Sequence, residues 1–171
     1  VLFRPVAAAD CEAIKSFVAG FSPRTRFLRF FSPATPPSSA VLRGLCGGGR
    51  TTDALVATHG GVVIAHAMAA DSTGPEGGRS TDIGLVVADR WQHRGIGSEI
   101  LARLVTRAVA RGAHVLVMDV LPDNQPMLTM ISHRWPGAGY EYAAGSVTVR
   151  VRLAHATAAK GDGRAAARAA A

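Results

Sequence analysis

The chain has 171 residues, 48% of them hydrophobic, enough for one domain with a real core and too few for two large ones. Its formal net charge of +7 raises nucleic acid as a partner, but the basic residues are spread along the chain and aromatics make up only 6%, so neither a phosphate-tracking stripe nor a base-stacking platform is expected. The longest apolar run, Val62 to Ala70, carries His66 and is well short of the ~18 residues that cross a bilayer; with no charged-then-apolar leader before the first strand, the expectations are no membrane partner and a cytoplasmic location.

Leu2 to Pro5 reads as a short strand. Asp10 and Glu12 then open a helical stretch in which Cys11, Ile14, Phe17 and Val18 recur at helix spacing, and Gly20 ends it. Ser22 as N-cap and Pro23 at the first helical position start a second short helix, whose Phe27, Leu28, Phe30 and Phe31 are expected in the core. Thr35 to Ser39 is a loop that can cap a third short helix through Leu45, broken by Gly47 to Gly49. From Asp53 the pattern turns to strands: Ala54 to Thr58, a His59-Gly60-Gly61 turn, and Val62 to Ala69 form a hairpin. Asp71 to Arg79 is a polar, Gly-rich connection, and Thr81 to Ala88 is the next strand. Cys11 and Cys46 have no metal-ligand spacing and read as buried reduced thiols.

The most informative stretch is the junction Val86-Val87-Ala88-Asp89-Arg90-Trp91-Gln92-His93-Arg94-Gly95-Ile96-Gly97-Ser98. A strand passes through a basic, Gly-containing turn into a long amphipathic helix, in which Ile96, Ile100, Leu101, Leu104, Val105, Ala108 and Val109 share one stripe before Gly112 stops it. The first helical turn has N–H groups without intrahelical partners and a partial positive charge, so a phosphate is stabilised there. Gly95 and Gly97 let a ligand approach the main chain; His93, Arg94 and Ser98 add donors, and Gln92 can brace the loop. A dinucleotide fingerprint fails because Ile100 stands where its third glycine belongs, and the Gly-Lys-Ser/Thr of a Walker loop is absent. A corner that uses glycine only for tight packing is the alternative. After the helix, His114 to Val120 completes a β-α-β unit, Pro122-Asp123-Asn124 starts a helix to about Arg134, and Ala138 to Val151 holds strands split by Gly145. Beyond Leu153 an Ala-rich, basic segment without an apolar face reads as a mobile tail, so residues 1–153 form the domain and 154–171 the tail.

The Gln-x-x-Gly-x-Gly at Gln92 to Gly97, together with this order of elements, resembles the GNAT superfamily of acetyl-CoA-dependent N-acetyltransferases. Phe21 to Phe31, Ala88 to Gln92 and Val120 to Leu128 further resemble the bacterial GNAT domains related to protein-lysine acetyltransferases. The resemblance implies an α/β (α+β) GNAT fold: a mixed, mostly antiparallel sheet, helices on both faces, and a splayed strand pair that takes acyl-CoA. It also implies that Val86 and Val87 offer main-chain groups to pantetheine with a β-bulge near Val86, that Gln92, His93, Arg94, Gly95, Ile96, Gly97 and Ser98 surround the pyrophosphate, and that Asn124 contacts the coenzyme arm. The reaction implied is direct attack of a neutral amine, from a protein lysine or a small molecule, on the acetyl thioester, with a main-chain N–H at Val86 or Val87 holding the oxyanion.

Alignment through the Val-Val-Ala-Asp segment puts Asp82 where related lysine acetyltransferases have a glutamate base. It is one methylene shorter, so a bridging water is implied; a residue in a solvated turn is the other reading. A tyrosine that many family members use to protonate the leaving thiolate is replaced by Ile131, with Ser132 and His133 adjacent. These departures keep open a second function, an acyl-CoA-binding sensory domain with weak catalysis. His59, His114 and His155 have no metal spacing with any carboxylate, so no metal is expected. Oligomeric state is open, a homodimer being one arrangement.

Overall fold

The computed structural model describes residues 1–32, 37–47, 49, 51–73, 78–143 and 145–153. The expected tail, the middle of the loop before the third helix, and residues 74–77 of the Gly-rich connection lie outside these. Seven strands form one sheet in the order β1-β2-β3-β4-β5-β7-β6: β1 (Leu2–Pro5), β2 (Thr52–His59), β3 (Val62–Thr73), β4 (Arg79–Val87), β5 (Val115–Val120), β6 (Gly139–Ala143) and β7 (Ser146–Arg152). Every pairing is antiparallel except β4 with β5. Five helices complete the fold: α1 (Cys11–Ala19), α2 (Pro23–Phe30), α3 (Ser39–Leu45), α4 (Ile96–Ala110) and α5 (Gln125–Arg134).

Side-chain alternation along the strands divides the core in two. Leu55, Ala57, Ala67, Ala69 and Ile83 bury against α4, while Val56, Val63 and Val86 pack with Ile14, Phe17 and Val18 of α1. The central strand β4 therefore presents Ile83, Leu85 and Val87 to α4, and Asp82, Gly84 and Val86 to the helices of the opposite face. Burying Ile100, Leu101 and Leu104, each at 0% exposure, contributes about 1.5–3 kcal/mol per side chain. That exceeds the ~1 kcal/mol penalty of a glycine in a helix, so α4 forms although Gly97 sits in its first turn. The polar side of α4 is fastened as well: Arg107 holds Asp53 at 2.7 Å, and Arg111 bonds both Asp53 and Asp71.

Several expectations are corrected. Strands β3 and β4 continue through Asp71↔Thr81, Ser72↔Ser80 and Thr73↔Arg79, where polar composition had suggested a connection. The polar residues are tolerated because they satisfy one another: Thr81 Oγ1 donates to Asp71 at 2.8 Å, and Arg111 reaches the same carboxylate at 3.2 Å. The expected bulge near Val86 is absent. The β3–β4 register runs unbroken from Ala65↔Val87, and the shift falls between Ala57 and Thr58 on β2. The thiols are neither reduced nor fully buried, since Cys11 on α1 and Cys46 beyond α3 are joined as a disulfide with Cα atoms 5.3 Å apart. On α2 the aromatics are only half-buried and Phe31 is exposed, whereas Thr25 is the buried residue. Among the described residues, no helix is long and apolar enough to cross a membrane.

Candidate active site

Strands β4 and β5 pair only at Ser80↔Val115, Thr81↔Leu116 and Asp82↔Val117, then diverge. Which main-chain groups the divergence frees follows from the other edge of β4. Ala88 N–H donates to Ile64 O at 2.9 Å, which makes 64 and 88 a hydrogen-bonded antiparallel pair; in the unbroken register His66 and Val86 are the next. Val86 is thus turned to β3, which corrects the expectation that it offers main-chain groups to a ligand. The N–H groups of Leu85 and Val87 point instead into the gap beside β5. The carbonyl of Val87 accepts from Gln92 Nε2 at 3.0 Å, leaving its N–H as the free group.

Beyond Val87 the turn into α4 has unusual backbone geometry. His93 adopts φ 58° and Gly95 φ 77°, both left-handed, and the extended Gln92 before His93 makes the geometry of a type II turn. The first hydrogen bond of α4 is Glu99 N–H to Gly95 O, at 3.0 Å, and Gly95 supplies no side-chain cap. Among the described residues, no main-chain N–H from His93 to Ser98 has an acceptor within the protein. Six consecutive open donors at a helix N-terminus form an anion receptor. Glycine is suited to this turn: a Cβ at Gly95 would stand in open space but at a positive φ, and one at Gly97 would lie at ordinary contact distance, 3.6 Å, from Val87.

The turn is held from outside. Asp89 accepts from Ser22 Oγ and Thr25 Oγ1, each at 2.7 Å, and Gln92 Nε2 also donates to Thr25 Oγ1 at 3.2 Å. Gln92 is therefore the brace the sequence suggested, and it works through α2. These bonds keep the Asp89 carboxyl below its ordinary pKa against the opposing effect of burial.

A cleft of about 410 Å³ lies against this turn, lined by Val86, Val87, Gln92, His93, Gly95, Gly97 and Ser98, by Asn124 and Met127 near α5, and by Arg24, Thr25, Leu28 and Arg29 of α2. Two expected residues do not line it: the Ile96 side chain is buried in the core, and the Arg94 guanidinium lies 5.1 Å from the Trp91 ring centroid. Asn124 lines the cleft while its Oδ1 caps α5 by accepting from Met127 N–H at 3.4 Å. The α2 contribution was not legible, because the Phe21–Phe31 resemblance gives Arg24 and Arg29 no role and the neighbouring aromatics suggested only packing. Next to the cleft is a second cavity of about 400 Å³ that shares Leu28, Arg29, Leu85, Asn124 and Met127 with it and adds Asp82, Gly84 and Asp119.

Asp82 is a mid-strand residue facing this second cavity. Burial raises its pKa, the nearby Asp119 raises it further, and Arg150 partly opposes both. A carboxyl held above its usual range beside a cleft suits proton transfer. Ile131, at the tyrosine position, is fully buried, and Ser132 Oγ is occupied by Thr129 O at 3.0 Å. His133 lines a separate cavity with His93, Ser98 and Arg134. His66 is half-satisfied: Nε2 meets Leu45 O at 2.8 Å, while Nδ1 is buried without a partner.

The sequence model of the Acetyltransferase (GNAT) family matches residues 25–132. Among solved structures, the GNAT domain of S. lividans PAT superposes with a TM-score of 0.77 at 25% identity, over 88% of this chain and 89% of that one. A GNAT superfamily phosphinothricin acetyltransferase from Sinorhizobium meliloti, in complex with acetyl-CoA, gives 0.70 at 21% over 93% and 91%. The yncA protein of Salmonella typhimurium, solved with its cofactor acetyl-CoA, gives 0.66 at 19% over 90% and 94%.

Proposed function

The chain belongs to the acetyltransferase (GNAT) family, whose chemistry is acetyl-CoA-dependent acetyl transfer, and from that premise we propose that it is an N-acetyltransferase that moves the acetyl group of acetyl-CoA directly to a primary amine. The observation that carries the reading is the run of open main-chain donors from His93 to Ser98 at the head of α4. Together with the freed N–H groups of Leu85 and Val87, it fits a ligand with an anionic diphosphate at one end and an amide-bearing arm that lies along a strand edge.

Acetyl-CoA supplies the activated thioester. The donors from His93 to Ser98 hold its diphosphate, the Val87 N–H pairs with its arm, and Asn124 flanks that arm at the start of α5. The Leu85 N–H, the freed donor nearer Asp82, is the one that meets the carbonyl oxygen as it gains charge. Asp82 takes the proton from the incoming ammonium, through a water where its shorter side chain falls short, which leaves a neutral amine to form the new C–N bond. The C–S bond then breaks, coenzyme A leaves as a thiolate, and the proton remaining on the acylated nitrogen passes to solvent to leave the neutral amide. With Ile131 buried and Ser132 engaged, no side chain is assigned to protonate it.

The test is release of free coenzyme A from acetyl-CoA across a panel of small amines and lysine peptides, beside thermal unfolding with and without acetyl-CoA. The enzyme reading predicts a raised melting temperature and amine-dependent release. A raised melting temperature with no release across the panel would instead favour the acyl-CoA-binding sensory domain.

A further inference from the structure

One charged group remains unexplained by this chemistry. Arg29 reaches from α2 across the sheet to Gly84, where a Cβ would come within 2.5 Å of its Nη2, so the glycine is what allows the guanidinium to lie on the strand. Its Nε is sealed from water without a hydrogen-bond partner, and among the described residues it forms no ion pair. Residues 33–36, which follow α2 shortly afterwards, are Pro-Ala-Thr-Pro and contain no acid. Burial draws the Arg29 pKa down to about 10, still far too high for the group to be neutral near pH 7. The guanidinium is half-buried and lies 5.2 Å from the Phe30 ring centroid; a charge partly removed from water without a counter-ion is costly, and an arriving anion reduces that cost.

The source of the anion follows from position. Arg29 lines both the cofactor cleft and the cavity that contains Asp82 and Asp119. It lies over Gly84, three residues before Val87, or about 10 Å along the strand and on the side away from the His93–Ser98 turn. The diphosphate is held at that turn, and the acetyl end that reaches toward Gly84 is uncharged. Two residues before Gly84, on the same face of β4, stands Asp82 with Asp119 beside it. The cavity therefore offers one cationic and one anionic station. We infer that Arg29 binds a carboxylate of the acetyl acceptor, so that the acceptor is a small molecule carrying both a primary amine and a carboxylate, its amine at Asp82 and its carboxylate at Arg29. This rests on the acetyltransferase reading above and narrows its acceptor.

The experiment uses the full chain and paired probes: glycine, β-alanine, 4-aminobutanoate and 5-aminopentanoate, each against its primary amide, with a neutral lysine peptide as a further acceptor. Kinetics of coenzyme A release and calorimetric binding to the coenzyme A-loaded protein are measured for wild type, Arg29→Gln and Gly84→Ala, the last displacing the guanidinium without removing it. For at least one chain length, the acid should exceed its amide tenfold or more in kcat/KM, mainly through KM, and in calorimetric affinity. Both variants should erase that preference, lowering kcat/KM for the acids at least tenfold more than for the amides. Amides or the peptide accepted as well as the acids would overturn the inference while leaving acetyl transfer intact. Equal losses for acids and amides in Arg29→Gln would overturn it too, placing the guanidinium on the reacting carbonyl. If no amine turns over, the acetyltransferase reading fails by itself, and calorimetry still decides: acid binding lost in both variants supports the carboxylate site, and no acid–amide difference refutes it.

Discussion

Asp89 offers a severe test of how the turn before α4 is held. Asp89→Ala removes an acceptor of two short hydroxyl bonds, from Ser22 and Thr25 at 2.7 Å, and a longer one from Ser22 N–H at 3.4 Å. Charge-assisted bonds of this kind are worth about 1.5–3 kcal/mol each where water is excluded. Asp89 is exposed, so most of that is recovered by solvent, and a total loss of about 1–2 kcal/mol is expected. At about 2–4 °C per kcal/mol for a domain of this size, the melting temperature should fall by roughly 2–8 °C. The functional effect should be larger than the stability effect suggests, because Thr25 also carries the bond from Gln92, and Gln92 fixes the Val87 carbonyl. The apparent KM for acetyl-CoA should rise about tenfold, the change expected for a loss of about 1.4 kcal/mol in binding. Thr25→Ala should behave similarly, and the double variant should cost less than the sum, with a coupling of at least 0.5 kcal/mol. Thermal unfolding and initial-rate kinetics measure both quantities. A lower melting temperature with unchanged acetyl-CoA affinity would refute the claim that α2 positions the turn.

Further outcomes follow from other residues. Asp82→Asn should lower kcat about 100-fold or more while leaving calorimetric acetyl-CoA affinity intact, and unchanged turnover would remove Asp82 from the mechanism. Because Asp119 adds to the raised pKa of Asp82, Asp119→Asn should move the rising limb of the pH–rate profile to lower pH; a limb that stays in place would mean another group titrates. Gly97→Trp should fill the cleft against Val87 and abolish the melting-temperature rise given by acetyl-CoA, and a retained rise would put the diphosphate elsewhere. Burial lowers the His66 pKa from 6.5 to about 4, so between those values the unfolded chain binds a proton that the folded one refuses. Stability should therefore fall as pH drops from 6.5 toward 4, by up to about 3 kcal/mol; denaturant titrations of His66→Gln should lack that decline, and an identical decline would exonerate the histidine.

Much of the fold was legible because its strongest signals are local. The stripe through Ile96, Ile100, Leu101 and Leu104, the Ser22-Pro23 start and the Gly60-Gly61 turn each specify their element without tertiary help. The same holds for the turn before α4, where glycine spacing at the head of an amphipathic helix already implies open amides. What escaped depends on contacts distant in sequence. Asp71 to Thr73 read as a connection because polarity hides a strand whose partners, Thr81 and Arg111, lie 10 and 40 residues away. Val86 and Val87 are indistinguishable in sequence, and only the pairing of β4 with β3 turns one away from the gap and the other into it. Arg29 lies in the Phe21–Phe31 segment, which gives it no role, and its place on the strand appears only when α2 is laid over Gly84. The joining of Cys11 to Cys46, 35 residues apart, likewise follows from the packing of α1 beside α3, which two isolated cysteines do not announce.

The claim on which the rest depends is that the open amides between His93 and Ser98 bind the coenzyme A diphosphate, and a crystal structure of the coenzyme A complex tests it most directly. The account predicts diphosphate oxygens within about 3.2 Å of several of those N–H groups, with the thiol arm leading past Val87 toward Asp82. Coenzyme A bound with its diphosphate away from the turn, or no binding at all, would contradict it.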